Sequence, residues 1–338
     1  MRNKVFNMVP NWSIYWFKGI LLLLRDISLS LDPLSKISEG DFILISHAHG
    51  DHIAGFKSEK PKLASYLTIK LYEAQTGRRV KNIYPGFMMS QRFNLGSIDV
   101  EMYNSGHVLG SSQFLFESGF STLVYTGDLN LKSTLISEAG KILPCDELII
   151  DATYGKPGIT FPDRIKIYEE IADFIERAVK ADTPPVFIAY SIGKAQELIA
   201  LINKYLDLEV LVDEKIDRVN TIYKRFGIEL KYLNLASNEG LEVLKSKCLP
   251  AVVSNKRNLV MASSFGMLRA IATGWSLLFP YRRFDATFPL SNHADFSQLV
   301  SYVKGSGARR IYPFGYFAKE FSNWLERHFD AEVLPLVD

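Results

Sequence analysis

Short apolar runs alternate with polar breaks along the chain, and the spacing of those runs changes twice. Up to residue 155 the runs are brief and rich in β-branched side chains, which is the texture of strands. Strands are predicted at Ile20–Leu24, Ile27–Leu31, Phe42–Ser46, Ile98–Tyr103, Gln113–Phe116, Thr122–Thr126 and Leu148–Asp151. The first follows Asn11–Phe17 and is stopped by Arg25-Asp26, so it is expected to be neither a membrane span nor a signal peptide. The period then lengthens. Ile167, Ile171, Phe174, Ile175 and Ala178 follow the start signal Phe161-Pro-Asp163 and predict a helix over Asp163–Lys180. Strand–helix units follow at Val186–Ala189 with Gly193–Tyr205, at Leu208–Val212 with a helix near Ile216–Phe226, and at Leu259–Ala262. Such alternation argues for a parallel sheet. The strand-rich texture returns at Ala286–Leu290 and Ile311–Phe314, each followed by an amphipathic helix. The expected architecture is α/β: one domain of residues 1–155 and 285–338, interrupted by a second of residues 156–284.

Composition narrows the function. With 338 residues, 47% hydrophobic and 22% charged, this is an ordinary soluble composition, long enough for one large or two ordinary domains. The net charge of +2 provides no global attraction for polyanions, so any nucleic-acid contact must come from a local basic patch. Cys145 and Cys248 lack paired metal spacing; they suggest a reducing, cytoplasmic setting without a disulfide framework.

Histidine placement carries the chemistry. Of six histidines, three fall in His47-Ala-His-Gly-Asp-His52, directly after a predicted strand. Strand ends are where α/β sheets place their sites, and imidazole with carboxylate suits zinc and similar divalent ions. One buried histidine is ordinarily a satisfied core side chain, but four ligating side chains in six residues are not explained that way. His107 and His293 sit in glycine- or acid-flanked runs, Ser105-Gly-His-Val-Leu-Gly110 and Leu290-Ser-Asn-His-Ala-Asp295, whereas His328 on a charged helix looks incidental. If the motifs converge, His47, His49 and His107 supply a first metal. Asp51 and His52 point to a second, and Asp128, after Val124-Tyr-Thr-Gly127, bridges the two. Paired ions polarise a phosphoryl oxygen and acidify water, the chemistry of ester hydrolysis. Glycine flanks His107 and Asp128 where backbone and substrate are expected to approach closely. Asp151 paired with His293 would keep the imidazole protonated for a leaving oxygen. Alternatively, His293 is a further ligand to the second metal and Asp295 only caps the helix beginning near Ala294. Lys194, after Gly193 at a predicted helix start, is the best phosphate contact, because backbone donors and the helix dipole favour an anion there. Arg78-Arg79, Lys256-Arg257, Arg282-Arg283 and Arg309-Arg310 are weaker candidates. Trp275, Tyr281 and Tyr316 either stack on bases or pack in the core.

These strings resemble a known family. His47-Ala-His-Gly-Asp-His52, Gly106-His107, Tyr125-Thr-Gly-Asp128 and the early Asp32 look like the metal motifs of the metallo-β-lactamase superfamily. Asp151-Ala-Thr-Tyr-Gly155, Ala189-Tyr-Ser-Ile-Gly-Lys-Ala-Gln-Glu197 and Leu290–Asp295 resemble marks of its β-CASP nucleases. Gly193–Gln196, Thr273-Gly-Trp275 and Ser291–Asp295 are most similar to the ligase-associated DNA exonuclease group. The resemblance implies an αββα sandwich with an inserted β-CASP α/β domain and a substrate cleft between them. It also implies catalytic roles for Asp51, Asp128, Asp151 and His293, and substrate contacts from Ser191, Gly193 and Lys194. Zinc would fill one tight site and a weaker second one, with manganese or magnesium as substitutes. The family's ribonucleases usually carry one more histidine in a final H-G string. Here Tyr312-Pro-Phe-Gly-Tyr316 places Phe314, which cannot ligate, at that position. The expectation is therefore a metal-dependent nuclease favouring DNA over RNA, an exonuclease of repair or processing with DNA-ligase-associated or repair partners and no membrane. The rivals are an RNA-processing nuclease of the same branch, a small-molecule hydrolase and an inactive scaffold.

Overall fold

The computed structural model describes residues 12–36, 39–84, 91–119 and 121–337. Asn11 and the two ends of the expected first domain lie outside the described residues.

The chain first lays down β1 (Trp12–Trp16), β2 (Ile20–Leu24), β3 (Ser28–Leu31), β4 (Phe42–Leu44) and β5 (Lys62–Leu63), side by side in that order. The first two pairings are antiparallel and the last two parallel. Helix α1 (Tyr66–Thr76) follows, started by the Ser65 hydroxyl accepting from Thr68 N. A meander of β6 (Arg92–Leu95), β7 (Ile98–Asn104), β8 (Ser112–Ser118) and β9 (Ser121–Tyr125) then leads to β10 (Glu147–Asp151), parallel to β9. Next come α2 (Arg164–Lys180), β11 (Pro185–Ile188), α3 (Lys194–Leu206), β12 (Val210–Val212), α4 (Glu214–Arg225) and β13 (Tyr232–Asn234). They are followed by α5 (Asn238–Ser246), β14 (Ala251–Val253), α6 (Lys256–Ser264), β15 (Leu268–Ala272) and β16 (Ala286–Phe288). These strands form a separate all-parallel sheet in the order β13-β12-β14-β11-β15-β16. Finally α7 (Phe296–Ser306), β17 (Arg310–Phe314), α8 (Ala318–His328) and β18 (Glu332–Val333) complete the second sheet. β17 pairs with β10 so that Asp151 stands opposite Phe314.

Two expectations need correction. The predicted boundary between residues 284 and 285 assigns Ala286–Phe288 to the first domain, but β16 hydrogen-bonds to β15 of the third sheet. An apolar run shows that a strand exists, not which sheet it joins. Leu259–Ala262 belongs to helix α6, and the strand is Ala251–Val253. Leu259 and Ala262, three residues apart, are the buried positions of that helix.

Side-chain alternation builds the layers. Leu22, Leu29, Leu31 and Leu44 of the first sheet pack against Val100, Phe114, Phe116, Tyr125 and Ile149 of the second. On the far face of the second sheet, Val124, Leu148, Ile150 and Ile311 meet Leu299 and Tyr302 of α7 and Phe321 and Leu325 of α8. Ile43 and Ile45 share a core with Ile69, Leu71 and Tyr72 around α1. Helix, sheet, sheet and helix are thus stacked in that order. In the third sheet Phe187 and Val252 face α2 and α3, while Val186, Ala251 and Val253 face α5 and α6. No helix among the described residues is long and apolar enough to cross a membrane.

Candidate active site

Strand direction gathers the chemistry at one rim. β3 and β4 run parallel, and Asp32 and His47–His52 follow their C-terminal ends. β7, β9, β10 and β17 run together in the second sheet, and His107, Asp128, Asp151 and Phe314 lie at or just beyond their ends. The turns are tight. Gly106 has φ +78°, and a Cβ there would fall 2.1 Å from Asn130 O; Gly127 has φ +53°, and a Cβ would meet Ser46 Cβ at 2.6 Å. Backbone and side-chain neighbours, rather than substrate, make these contacts, and side chains are excluded on both counts.

Three imidazoles and a carboxylate converge. His107 Nε2 lies 3.1 Å from His49 Nδ1. Asp128 Oδ2 stands 3.4 Å from both His47 Nε2 and His107 Nε2. Its other oxygen lies 3.6 Å from His52 Nε2, which is 3.7 Å from Asp51 Oδ2. Each ring is oriented by a bond at its opposite nitrogen. His47 Nδ1 meets Ser46 Oγ at 2.9 Å, His49 Nε2 meets Ile192 O at 3.1 Å, and His107 Nδ1 meets Asn292 O at 2.9 Å. His52 Nδ1 meets Asp32 Oδ2 at 2.9 Å. This outer ring of acceptors is the usual support of metal-ligating histidines.

One atom tests whether the set suits a divalent ion. His47 Nε2 is buried and without a hydrogen-bond partner, and an orphaned buried acceptor needs an occupant. The donor atoms of His47, His49, His107 and Asp128 all lie within 4.8 Å of one another. These residues fit a metal. Asp51 is the loosest of the expected ligands, its side chain 76% exposed. Phe314 is buried, its ring 5.6 Å from Tyr125, and brings no donor.

Electrostatics separate the histidines. Burial drives His47 and His107 well below the ordinary value and lowers His49 to about 4. Burial opposes the charge on His52 too, but Asp128 and Asp32 override it and push that ring up to about 10. Burial raises Asp128 to about 6 against the pull of His52 and His293. His293 is also raised, with Asp128 and Asp151 outweighing its burial. Its Nδ1 lies 3.1 Å from Asp151 Oδ2 and its Nε2 lies 3.7 Å from Asp128 Oδ2. Asp151 is held in turn by Thr153 N and Oγ1 at 2.8 and 2.6 Å. Asp295 accepts from Gln298 N at 3.0 Å and caps α7.

The cluster opens into a cleft of about 950 Å³. One wall is the strand rim; the other comes from segments that follow strands of the third sheet, including Tyr190, Ser191, Lys215, Ser254 and Trp275. Trp275, Tyr281 and Tyr316 all line the cleft, and Tyr316 is exposed. Lys194 does not present the free ammonium that its sequence position suggests. Its Nζ is buried, donates to Leu290 O at 2.9 Å and stands 3.6 Å from Glu197 Oε2. Gly193 N is already bound by Gln196 Oε1 at 2.7 Å, and Ser191 O accepts from Gln196 Nε2 at 3.0 Å. The four expected basic pairs do not line the cleft, and Arg310 is tied to Glu147 and Glu332. Sequence reasoning missed Lys215, at the start of α4, and Tyr190, whose ring lies tilted against His49 with centroids 5.5 Å apart. Tyr190 stands inside the Ala189–Glu197 string without being singled out, and for Lys215 only the Asp213 cap hinted at the helix start beside it.

No protein-family model matches the chain. A curated protein named "Probable DNA ligase" from Opitutus terrae is 30% identical over 297 residues, which cover 85% of this chain and 28% of that protein. An "RNase J-like protein" from Methanocaldococcus jannaschii is 26% identical over 286 residues, 75% of this chain and 67% of its own. "5' exonuclease Apollo" of Gallus gallus is 27% identical over 282 residues, 77% of this chain and 55% of its own. The chain spans between 28% and 67% of the length of these relatives. A crystal structure of a protein of unknown function from Enterococcus faecalis V583 has the same fold, with a TM-score of 0.63 at 14% identity over 96% of both chains. A histidine–aspartate cluster at the rim of two packed sheets defines a metal-site protein of the sandwich type. With these relatives, the chain belongs to the metallo-β-lactamase superfamily, in its β-CASP nuclease branch.

Proposed function

We propose that the protein is a metal-dependent phosphodiesterase that hydrolyses DNA from an end. The observation that carries this reading is the convergence of His47, His49, His107 and Asp128, with buried His47 Nε2 left unpartnered, where His49, His107 and Asp128 line an aromatic-walled cleft. His47, His49, His107 and Asp128 would hold a first ion, zinc; Asp51 and His52, with Asp128, would hold a weaker second one, for which manganese or magnesium could substitute. Ions bound there would supply Lewis acidity towards a phosphoryl oxygen and an acidified water.

The remaining work falls to the chain. Asp151 fixes His293 through Nδ1, and His293 keeps a proton at Nε2 for the leaving oxygen. Tyr190, Trp275 and Tyr316 provide ring faces for unpaired bases. Lys215 contacts a phosphate, and Lys194 supports the wall behind it. The β-CASP unit runs from residue 156 through β16 and closes over the rim. DNA is favoured because Phe314 stands where the branch's ribonucleases carry a histidine, and because relatives named as a DNA ligase and a 5' exonuclease match most of this chain. Ligase-associated repair partners are consistent with the first of these. A ribonuclease reading draws on relatives named "RNase J-like protein" and "RNase aCSPSF2". End-labelled single-stranded DNA and RNA of one sequence, digested in parallel with zinc, manganese or magnesium, test the proposal. Faster DNA cleavage is expected; RNA cleavage with DNA untouched establishes the ribonuclease reading instead.

A further inference from the structure

A buried ionic cluster lies one layer behind the metal-ligand candidates. Glu197 of α3 is fully buried. It accepts from the Arg164 guanidinium of α2, from the Tyr168 hydroxyl at 2.6 Å and from the Asn292 amide at 2.7 Å, and the Lys194 ammonium stands 3.6 Å away. Buried charges are costly, and replacing such groups by apolar side chains is often neutral or stabilising. The α2–α3 packing does not itself call for these charges, since Ile167, Ile171, Ile175, Leu198 and Ile199 already share one apolar core.

The cluster grips one short segment between β16 and α7. Lys194 Nζ donates to Leu290 O at 2.9 Å, Arg164 Nη2 donates to Ser291 O, and Glu197 holds the Asn292 side chain. The same Asn292 turns its carbonyl to His107 Nδ1 at 2.9 Å, and the next residue, His293, reaches Asp151. A single carboxylate on the third-sheet unit is therefore two hydrogen bonds removed from a ligand on the second sheet.

We propose that Glu197 is a positioning residue for the metal centre: by fixing Asn292 it sets the carbonyl that orients the His107 ring. The inference rests on the reading of His47, His49, His107 and Asp128 as metal ligands. Its test uses the full chain titrated with cobalt(II), with affinity from competition against a chromophoric chelator and the ligand field from the visible spectrum. Wild-type protein that takes up no cobalt removes the metal reading itself. With wild type binding, E197Q is expected to weaken cobalt about threefold to tenfold, less than the ~10–100-fold of losing a ligand's own hydrogen-bond partner because the Asn292 carbonyl remains, and to shift the visible bands. The reciprocal swap E197Q/N292D puts an amide donor opposite a carboxylate again and is expected to restore affinity to near wild type. A role confined to holding α2 against α3 gives no such rescue from residue 292. Should E197Q fail to fold, N292A, which deletes only the amide that Glu197 holds, carries the same expectation of weaker binding. Folded single variants with wild-type cobalt affinity and spectrum overturn the proposal, as does a swap that binds no better than E197Q.

Discussion

Replacing Asp32 by asparagine should silence one half of the metal centre while the fold survives. Asp32 is buried and takes a left-handed backbone conformation with φ +43°. Its Oδ1 accepts from Ser46 N at 2.8 Å; its Oδ2 accepts from Ser46 Oγ, from Tyr125 OH at 2.7 Å and from His52 Nδ1 at 2.9 Å. Asparagine tolerates the backbone but offers one acceptor instead of two. If its nitrogen takes the Oδ1 position, it meets an amide N–H that cannot reorient, at a cost of about 1–3 kcal/mol. If the nitrogen takes the Oδ2 position, its two N–H groups face three former donors: either both hydroxyls rotate to accept and His52 Nδ1 loses its acceptor, or one hydroxyl accepts and His52 accepts by moving its proton to Nε2. That proton then faces Asp128 and Asp51, where a ligating lone pair is needed. Either arrangement leaves one buried group mispaired, so Asp32→Asn should lower stability by about 1–3 kcal/mol and second-site affinity by about 10–100-fold. Manganese titration by calorimetry, with zinc held in the first site, reads the second site directly. Unchanged manganese affinity in a folded D32N variant refutes this account of His52.

Other consequences follow from the same geometry. His49→Ala should abolish cleavage with the melting temperature of the metal-free protein little changed, because the ring lies at the rim and outside the sandwich core; near-normal activity removes the site assignment. Dialysed protein should retain one tightly held ion per chain by elemental analysis, since Asp51 is exposed and Phe314 adds no donor; two retained ions contradict this. Lys215→Ala should lower the salt slope of DNA binding by about one unit while Lys194→Ala leaves it unchanged; the reverse pattern returns the phosphate contact to Lys194. Metal-free protein should lose stability as pH falls from near 6 to near 5. The folded values of His47, His49 and His107 lie below the ordinary 6.5, so the unfolded chain takes up those protons first. Asp128, raised to about 6, opposes this, and His52 and His293, raised above 6.5, oppose it until the unfolded chain is itself protonated below 6.5, so the three lowered histidines prevail only below about pH 6. An equal or higher denaturant midpoint at the lower pH overturns the argument.

How much was legible in the sequence differs by kind of feature. The H-x-H-x-D-H run names its own chemistry, because a strand end can present several ligands from a few consecutive residues. The Asp163 and Asp295 caps and most strands were readable for a similar reason: they depend on neighbours in the chain. Helix α6 was misplaced because four apolar residues fit either period in so short a run. β16 was assigned to the wrong unit because its partner, β15, is chosen by hydrogen bonding across space. Lys194 shows the limit most plainly. As a sequence position it is a cation at a helix start; in three dimensions it is a buried strut against Leu290 and Glu197. The candidate ligands were thus legible from residue type and local spacing. Which cation faces the cleft, which ring is oriented by which carbonyl, and which acid stands behind His107 were decided only by the tertiary structure, since those contacts join residues that the chain keeps far apart.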